Sequence, residues 1–498
     1  MDTVINFSKE FAGKRLYDLL LTKGIPFFAP CGGKGTCGKC RVKLLDGGVL
    51  DRDGMPLLPD EKGEVLSCHA FVSDEGCTVA IPALSGKGLT LTASVSKTKP
   101  SRLGIALDVG TTTLAAALVD LDSQKAIRTA SALNPQAPFG ADVMSRILAC
   151  REGNLRLLHE ALIKAVFALC HELLGKERAE RMIVVGNPTM LHLFLGISPE
   201  GIGQYPFKAA FLDTQYRKGE ELSLPCEEIV VLPSASAFIG SDVLAGVYLY
   251  GLADREEASI LIDVGTNGEI VLVKDRVLFA ASCAAGPALE GAKISSGLGG
   301  VSGAVSSVRK KEGKYCYTTV GDAPPRGICG AGLCDLVALL LDDEVLDGSG
   351  YLDETYRLCG CHETKEGRLP EAPSEITLTA GDIRELQLAK AAIRAGLDTL
   401  IKEAGLSQKE LSSLLLAGGL GYYLSPDSAC RIGMFSETMR QKIKAVGNSA
   451  LEGAIKALCE KDAVSTIETI AKRIKTIELN ESAYFADCFM NGMLFDEL

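Results

Sequence analysis

Residues 104–121 read GIALDVGTTTLAAALVDL, and residues 259–276 read SILIDVGTNGEIVLVKDR. With Asp108 superposed on Asp263, each copy has an apolar strand, the run D-V-G-T, a polar turn and a second apolar strand closing on an aspartate. Self-similarity at a fixed offset marks a duplicated unit. The strand delivers a carboxylate to its exit, where it can hold Mg2+ directly or through water. Gly110 or Gly265 then permits a tight turn whose backbone N–H groups, with threonine hydroxyls, grip phosphate oxygens. One D-x-G-T arises readily by chance. Two in the same register predict two similar lobes facing each other across a nucleotide.

A third element completes that expectation. LSSLLLAGGLGYYL, at 411–424, reads as a buried strand running into Gly418, Gly419 and Gly421. A glycine turn there lets backbone approach adenine and ribose closely. GNSALEGA, at 447–454, opens a helix after a strand and closes the other side of the base. Neither segment carries the Walker pattern G-x4-G-K-[ST], so this is not a P-loop site.

Upstream, PCGGKGTCGKC at 30–40 spaces Cys31, Cys37 and Cys40 as C-x5-C-x2-C, and Cys68 follows in GEVLSCHA. Three thiolates on one loop plus a distant fourth is how plant-type ferredoxins hold a [2Fe–2S] cluster. Gly32, Gly33, Gly35 and Gly38 supply the φ > 0 freedom to curl around it and aim amides at its sulfides. The first gap is one residue longer than the usual plant-type spacing. Zinc is the alternative, although zinc ribbons favour paired C-x2-C units. Alternating TVINFSKEF and KCRVKLLDGGVL, with RLYDLLLTKG as a short helix between them, give a small α+β, β-grasp pattern ending near residue 83. His69 reads as a surface histidine and Cys77 as a buried strand thiol.

The remaining composition bounds the rest. A chain of 498 residues divides into several domains. Its net charge of −11, without a Lys/Arg stripe, argues against nucleic acid. No signal peptide or membrane-length apolar run is read, and 17 cysteines without an export signal read as thiols and metal ligands in a reducing, anaerobic cytoplasm.

Hairpin, second hairpin and late G-G-x-G turn, in that order, resemble the two-lobed α/β acetate-and-sugar-kinase, chaperone and actin ATPase superfamily (ASKHA), whose lobes are actin-like and RNase H-like. With a ferredoxin in front, the chain resembles the reductive activators of corrinoid proteins. VVGNPTMLHLFLG (184–196), SAFIGSDVLAG (236–246), AGPALEGAKI (285–294) and RGICGAGLCDL (326–336) extend the likeness over nearly the whole chain. The resemblance implies a ferredoxin domain at 1–83, a linker at 84–103, a first lobe at 104–258 and a second lobe at 259–498. It puts Asp108, Gly110, Thr111 and Thr112 on one phosphate side, Asp263, Gly265, Thr266 and Asn267 on the other, and Gly418, Gly419 and Gly421 on adenosine. Asp242 and Glu290 fall near magnesium or the attacking water, against the blander readings of a helix-cap acid and a surface acid. The implied cofactors are a [2Fe–2S] cluster, ATP and Mg2+. The implied partners are a corrinoid protein, whose Co(II) is returned to Co(I), and a low-potential donor such as ferredoxin or flavodoxin, with a homodimer left open. Longer relatives carry an extra domain where this chain has only a linker.

Three alternatives stay open: a small-molecule kinase with a regulatory cluster, an activator of another low-potential enzyme, and a nucleotide-sensing electron carrier. LCGCHETKEG reads as an exposed loop, and its Cys359 and Cys361, like Cys329 and Cys334, are unassigned. LLHEALIKAVFALCHELLGK at 157–176 reads as a packing helix, and ISSGLGGVSGAVSSV at 294–308 as a flexible hairpin.

Overall fold

The computed structural model describes residues 3–23, 27, 33, 35, 38, 40–81, 102–265, 267–365, 367–421 and 423–495. Cys31, Cys37, Gly32, Thr266 and nearly all of the expected linker lie outside the described residues.

The N-terminal part is a four-stranded antiparallel sheet ordered Thr3–Phe7, Phe71–Ile81, Arg41–Leu50, Glu64–Leu66. Helix Leu16–Thr22 lays Leu16, Tyr17, Leu19 and Leu20 onto it, forming a separate small core with Phe7, Val42 and Val79. Cys77 is buried in the long strand, and burial pushes its thiol up to about 11. His69 is exposed.

Each D-V-G-T run sits at a strand exit of its own six-stranded sheet. The first sheet is ordered Lys125–Leu133, Thr113–Asp120, Leu103–Val109, Ala179–Gly186, Cys226–Val231, Gln215–Lys218. The second is ordered Ile443–Gly447, Ser413–Ala417, Ser259–Val264, Gly268–Lys274, Val277–Cys283, Lys475–Thr476. Each therefore has an antiparallel hairpin followed by a parallel neighbour, as a duplicated α/β lobe requires. The amphipathic helix Leu155–Leu174 covers the outer face of the first sheet, as its apolar spacing predicts. Helix Ala380–Glu403 packs in the core of the second, which is shared with a five-stranded sheet and helix Gly330–Asp342.

Between the two six-stranded sheets lies one continuous core. It joins Ala106, Ile183 and Val230 of the first to Leu261, Val271 and Leu415 of the second through helices Ser241–Leu249, Ser449–Cys459 and Ala463–Arg473. Helix Ser449–Cys459, within the segment 259–498 expected as the second lobe, also lies along strands Leu103–Val109 and Ala179–Gly186, because its apolar face has partners on both sides.

Two local expectations are corrected. LCGCHETKEG is not an exposed loop: Tyr356–Thr364 is a strand, with Cys361 and His362 buried. His362 stacks on Tyr317 at 5.3 Å, and its Nε2 lies 2.9 Å from Thr319 Oγ. Bulges at both ends of that strand hide the alternation that marks one. The glycine-rich stretch 294–308 is not a hairpin by itself. It loops to residue 303, and only then does strand Ala304–Lys311 pair with Lys314–Thr319.

Candidate functional site

Asp108 and Asp263 stand at the exits of equivalent strands, next to the turns their glycines make. A Cβ on Gly110 would lie 2.5 Å from Thr113 O, so the tight turn needs glycine there. The turn is held from behind. Asn134 donates Nδ2–H to Gly110 O and its backbone N–H to Thr112 O, both at 2.8 Å. Asn187 caps helix Pro188–Phe194 with its Oδ1 and donates Nδ2–H to Thr111 Oγ at 3.0 Å. Arg146 donates to Thr111 O at 2.6 Å. These bonds engage the carbonyls of Gly110, Thr111 and Thr112 and the Thr111 hydroxyl, and fix the turn's conformation.

In the second lobe, Gly265 N–H closes the turn on Asn267 O at 2.9 Å. A Cβ on Gly265 would meet only Glu290 Oε1, at 3.7 Å, and Asn267 O. Gly418 has φ +86°, and a Cβ there would lie 2.5 Å from Asp263 Oδ1. The late glycine turn, Gly418–Gly421, thus lies directly against the second aspartate. Gly419 faces open space, while Gly421 packs against Leu416 O.

The acids share one electrostatic environment. Asp242, in the first turn of its helix, accepts from Val243 N–H at 2.9 Å. It also repels Asp108, Asp263 and Glu269. Burial, then repulsion from Asp242, Asp108 and Glu290, raises Asp263 to about 8. Burial raises Asp108 to about 7, partly offset by Asn448, which donates Nδ2–H to its Oδ2 at 2.9 Å. Asp242 is pushed up to about 6 by burial. Glu290 ends the turn Pro287–Glu290, half-buried, within electrostatic reach of Asp263 and Arg146, and is not a surface acid. Crowded carboxylates in a cleft attract a hard cation with oxygen ligands. Among the described residues no three His, Cys, Asp or Glu side chains are arranged to hold a metal ion by themselves.

Asn448, Asn134, Asn187, Arg146 and Glu269 were not singled out from sequence. Glu269 had a signal. By the 155-residue offset it superposes on Leu114, a core position, yet it is an acid. The second turn is one residue shorter, since Val264 pairs with Gly268 where Val109 pairs with Leu114. Glu269 is therefore opposite Asp263 on the same face. Burial, with repulsion from Asp242 and Asp263, raises it well above the ordinary range.

At the N-terminal domain, Cys40 and Cys68 are buried, and Ser67, which precedes Cys68, donates its N–H to Cys40 O at 2.9 Å. Gly33, Gly35 and Gly38 have φ of +75°, +79° and +63°. A Cβ on Gly33 would strike the Tyr17 ring, and one on Gly35 the His69 ring. Ser67 Oγ, next to Cys68 in the chain, is buried and has no hydrogen-bond partner among the described residues. Left-handed glycines close to the Tyr17 and His69 rings, two buried thiols and a buried hydroxyl next to one of them fit an anionic iron–sulfur group.

Comparison with known proteins bears on this arrangement. Residues 7–73 match the family described as a 2Fe-2S iron-sulfur cluster binding domain, residues 103–255 the "RACo middle region", and residues 257–497 the "C-terminal domain of RACo the ASKHA domain". The chain is 31% identical to the corrinoid activation enzyme RamQ of Eubacterium limosum, with 96% of each chain covered. The chain belongs to the RACo family of reductive activators of corrinoid proteins. A second relative of this RACo-family chain is the [Co(II) methylated amine-specific corrinoid protein] reductase of Methanosarcina barkeri, 29% identical over 74% of this chain and 72% of that one. A solved "Reductive activator for corrinoid,iron-sulfur protein" superposes with a TM-score of 0.71 at 28% identity, covering 98% of this chain and 96% of that one. The N-terminal ferredoxin fold and the two-lobed ASKHA fold are thus properties of this chain. No helix among the described residues is long and apolar enough to cross a membrane.

Proposed function

We propose that this protein returns the cobalt of a partner corrinoid protein from Co(II) to Co(I) and couples that step to binding and hydrolysis of MgATP. The observation that carries the reading is the convergence of both D-V-G-T strand exits, with Asp242 and Asn448, on one cluster of buried acids in a chain that also carries a ferredoxin domain. Cys31, Cys37, Cys40 and Cys68 would hold a [2Fe–2S] cluster, which supplies one electron at a time. A low-potential ferredoxin or flavodoxin would refill it.

Nucleotide is needed for an energetic reason. For one electron about 59 mV corresponds to ~1.4 kcal/mol, so an uphill gap of roughly 200 mV demands about 5 kcal/mol. A carrier transmits a potential and does not create one. The turns at Gly110–Thr112 and Gly265–Asn267 would grip the phosphates from opposite lobes, with Asp108 and Asp263 orienting Mg2+ and water. Asp242, Glu269 and Glu290 would complete the polar floor, and the Gly418–Gly421 turn would admit the adenosine. Clamped lobes favour one complex with the partner, and hydrolysis releases it.

The deciding experiment mixes reduced protein with a Co(II) corrinoid protein under anaerobic conditions and follows the cobalt spectrum with and without MgATP. Co(I) should accumulate only with nucleotide. An equal yield without it would sink the coupling, and strong stimulation of phosphate release by a hydroxyl compound would favour a kinase instead.

A further inference from the structure

Arg146 is almost fully buried, at 1% exposure, yet gives its donors to uncharged acceptors rather than to a carboxylate. Nη2–H goes to Thr111 O at 2.6 Å, Nη1–H to Gln136 Oε1 and Met190 Sδ at 3.1 Å, and Nε–H to Gly140 O at 3.1 Å. Among the described residues no carboxylate lies within ion-pair distance of it, and the more distant Glu290 and Asp142 only partly offset the cost of burying a guanidinium, a volume that a hydrophobic residue would fill at lower cost. What it provides is geometry: one rigid fork ties the first phosphate turn to the segment 136–140. That segment is itself stiff. Gln136 donates Nε2–H to Leu158 O at 3.0 Å and its N–H to Asn134 Oδ1 at 3.0 Å, and Asn134 also holds Gly110 and Thr112.

Among the described residues, the N-terminal domain reaches the first lobe at this same segment. The Tyr17 hydroxyl donates to Pro138 O, in the short turn Ala137–Phe139. The Tyr17 ring packs where a Cβ on Gly33 would be, in the cysteine loop, and Arg15 donates to Gly33 O at 3.2 Å. An unbroken series of contacts therefore runs from Thr111 through Arg146, Gln136 and Pro138 to Tyr17 and Gly33.

We propose that Arg146 is a positioning residue that fixes the Thr111 turn for nucleotide and, through the 136–140 segment and Tyr17, transmits nucleotide occupancy to the cysteine loop. This rests on the nucleotide reading of the cleft and names the residues that connect it to the redox domain. Contact alone does not establish coupling, so the test reads both ends.

Full-length, cluster-loaded wild type, Arg146→Lys and Tyr17→Phe are titrated calorimetrically with Mg2+ and a non-hydrolysable ATP analogue, well below the lowest melting temperature. Amide exchange of the peptide spanning Leu16–Thr22 is measured with and without saturating analogue. Arg146→Lys keeps the charge but loses the fork, and its Kd should rise at least tenfold while the exchange response disappears. Tyr17→Phe should bind with a Kd within a few-fold of wild type, the change being the coupling itself, yet lose that response. A purely structural Arg146 would lower the melting temperature and leave Kd and the response at wild-type values. Either that outcome or a full response in Tyr17→Phe overturns the proposal, and the Tyr17 arm decides it should Arg146→Lys fail to fold. A wild type that binds no analogue would instead overturn the nucleotide reading itself.

Discussion

Asp263 and Glu269 face each other because one turn is a residue shorter than its twin, and burial with mutual repulsion holds both above the ordinary carboxylate range. Asp263→Asn should cut phosphate release about 100-fold or more, the scale of losing a preorganised polar group at a reacting phosphate, while relieving repulsion and leaving the melting temperature equal or higher. Glu269→Gln should cost roughly tenfold by the same assay, since it stands behind Asp263. A hydrolysis rate unchanged in Asp263→Asn would remove that residue from the site. Both aspartates were legible in sequence because motif and repeat coincide there. Glu269 was not, because its face depends on turn length. Nor were Asn134, Asn187 and Asn448, whose signals are those of ordinary turn and helix-cap residues.

Helices Ser241–Leu249 and Ser449–Cys459 cross so closely that glycine is required on each. A Cβ on Gly246 would lie 2.8 Å from Ser449 Oγ, and one on Gly453 would lie 2.3 Å from Ala245 O. Gly453→Ala should destabilise by about 1–3 kcal/mol through overpacking, read as a lower urea midpoint with unchanged slope. Helix Pro188–Phe194 carries a pH-sensitive contact. His192 Nε2 accepts from Ala210 N–H at 3.0 Å, its Nδ1 lies 2.7 Å from Pro188 O, and Phe211 stacks on it at 4.2 Å. Burial lowers its pKa below 6.5, so the native ring is neutral with the proton on Nδ1. Above pH 6.5 both folded and unfolded states are neutral and the contribution is intact. Below it the unfolded chain takes up the proton first, and stability falls. Unfolding free energies measured in urea at pH 7.5 and 5.5 should therefore differ more in wild type than in His192→Gln. Equal differences would show that His192 is not the titrating group. At this scale the strands of both repeats and the long helix 155–174 were legible from periodicity. The strand at 356–364 was not, because its bulges break the period-two pattern.

Over the whole molecule, order and class of domains were legible, since each announces itself by a local motif. Where the last helices go was not, because Asn448 meets Asp108 across 340 residues of chain. The N-terminal core shares no residue with the others. Cys68→Ser should therefore lower iron content to less than half of wild type while leaving analogue affinity within about twofold, measured by metal analysis and calorimetry. Loss of both together would mean that the sheets do not fold independently of the cysteine loop. The lobes themselves are not separable in this way. The stretch beginning at Ser449 finishes the hydrophobic interior of both halves. Removing that stretch would strip two slabs of their common lining and make each sticky, so the late segment is the fastener of the two halves.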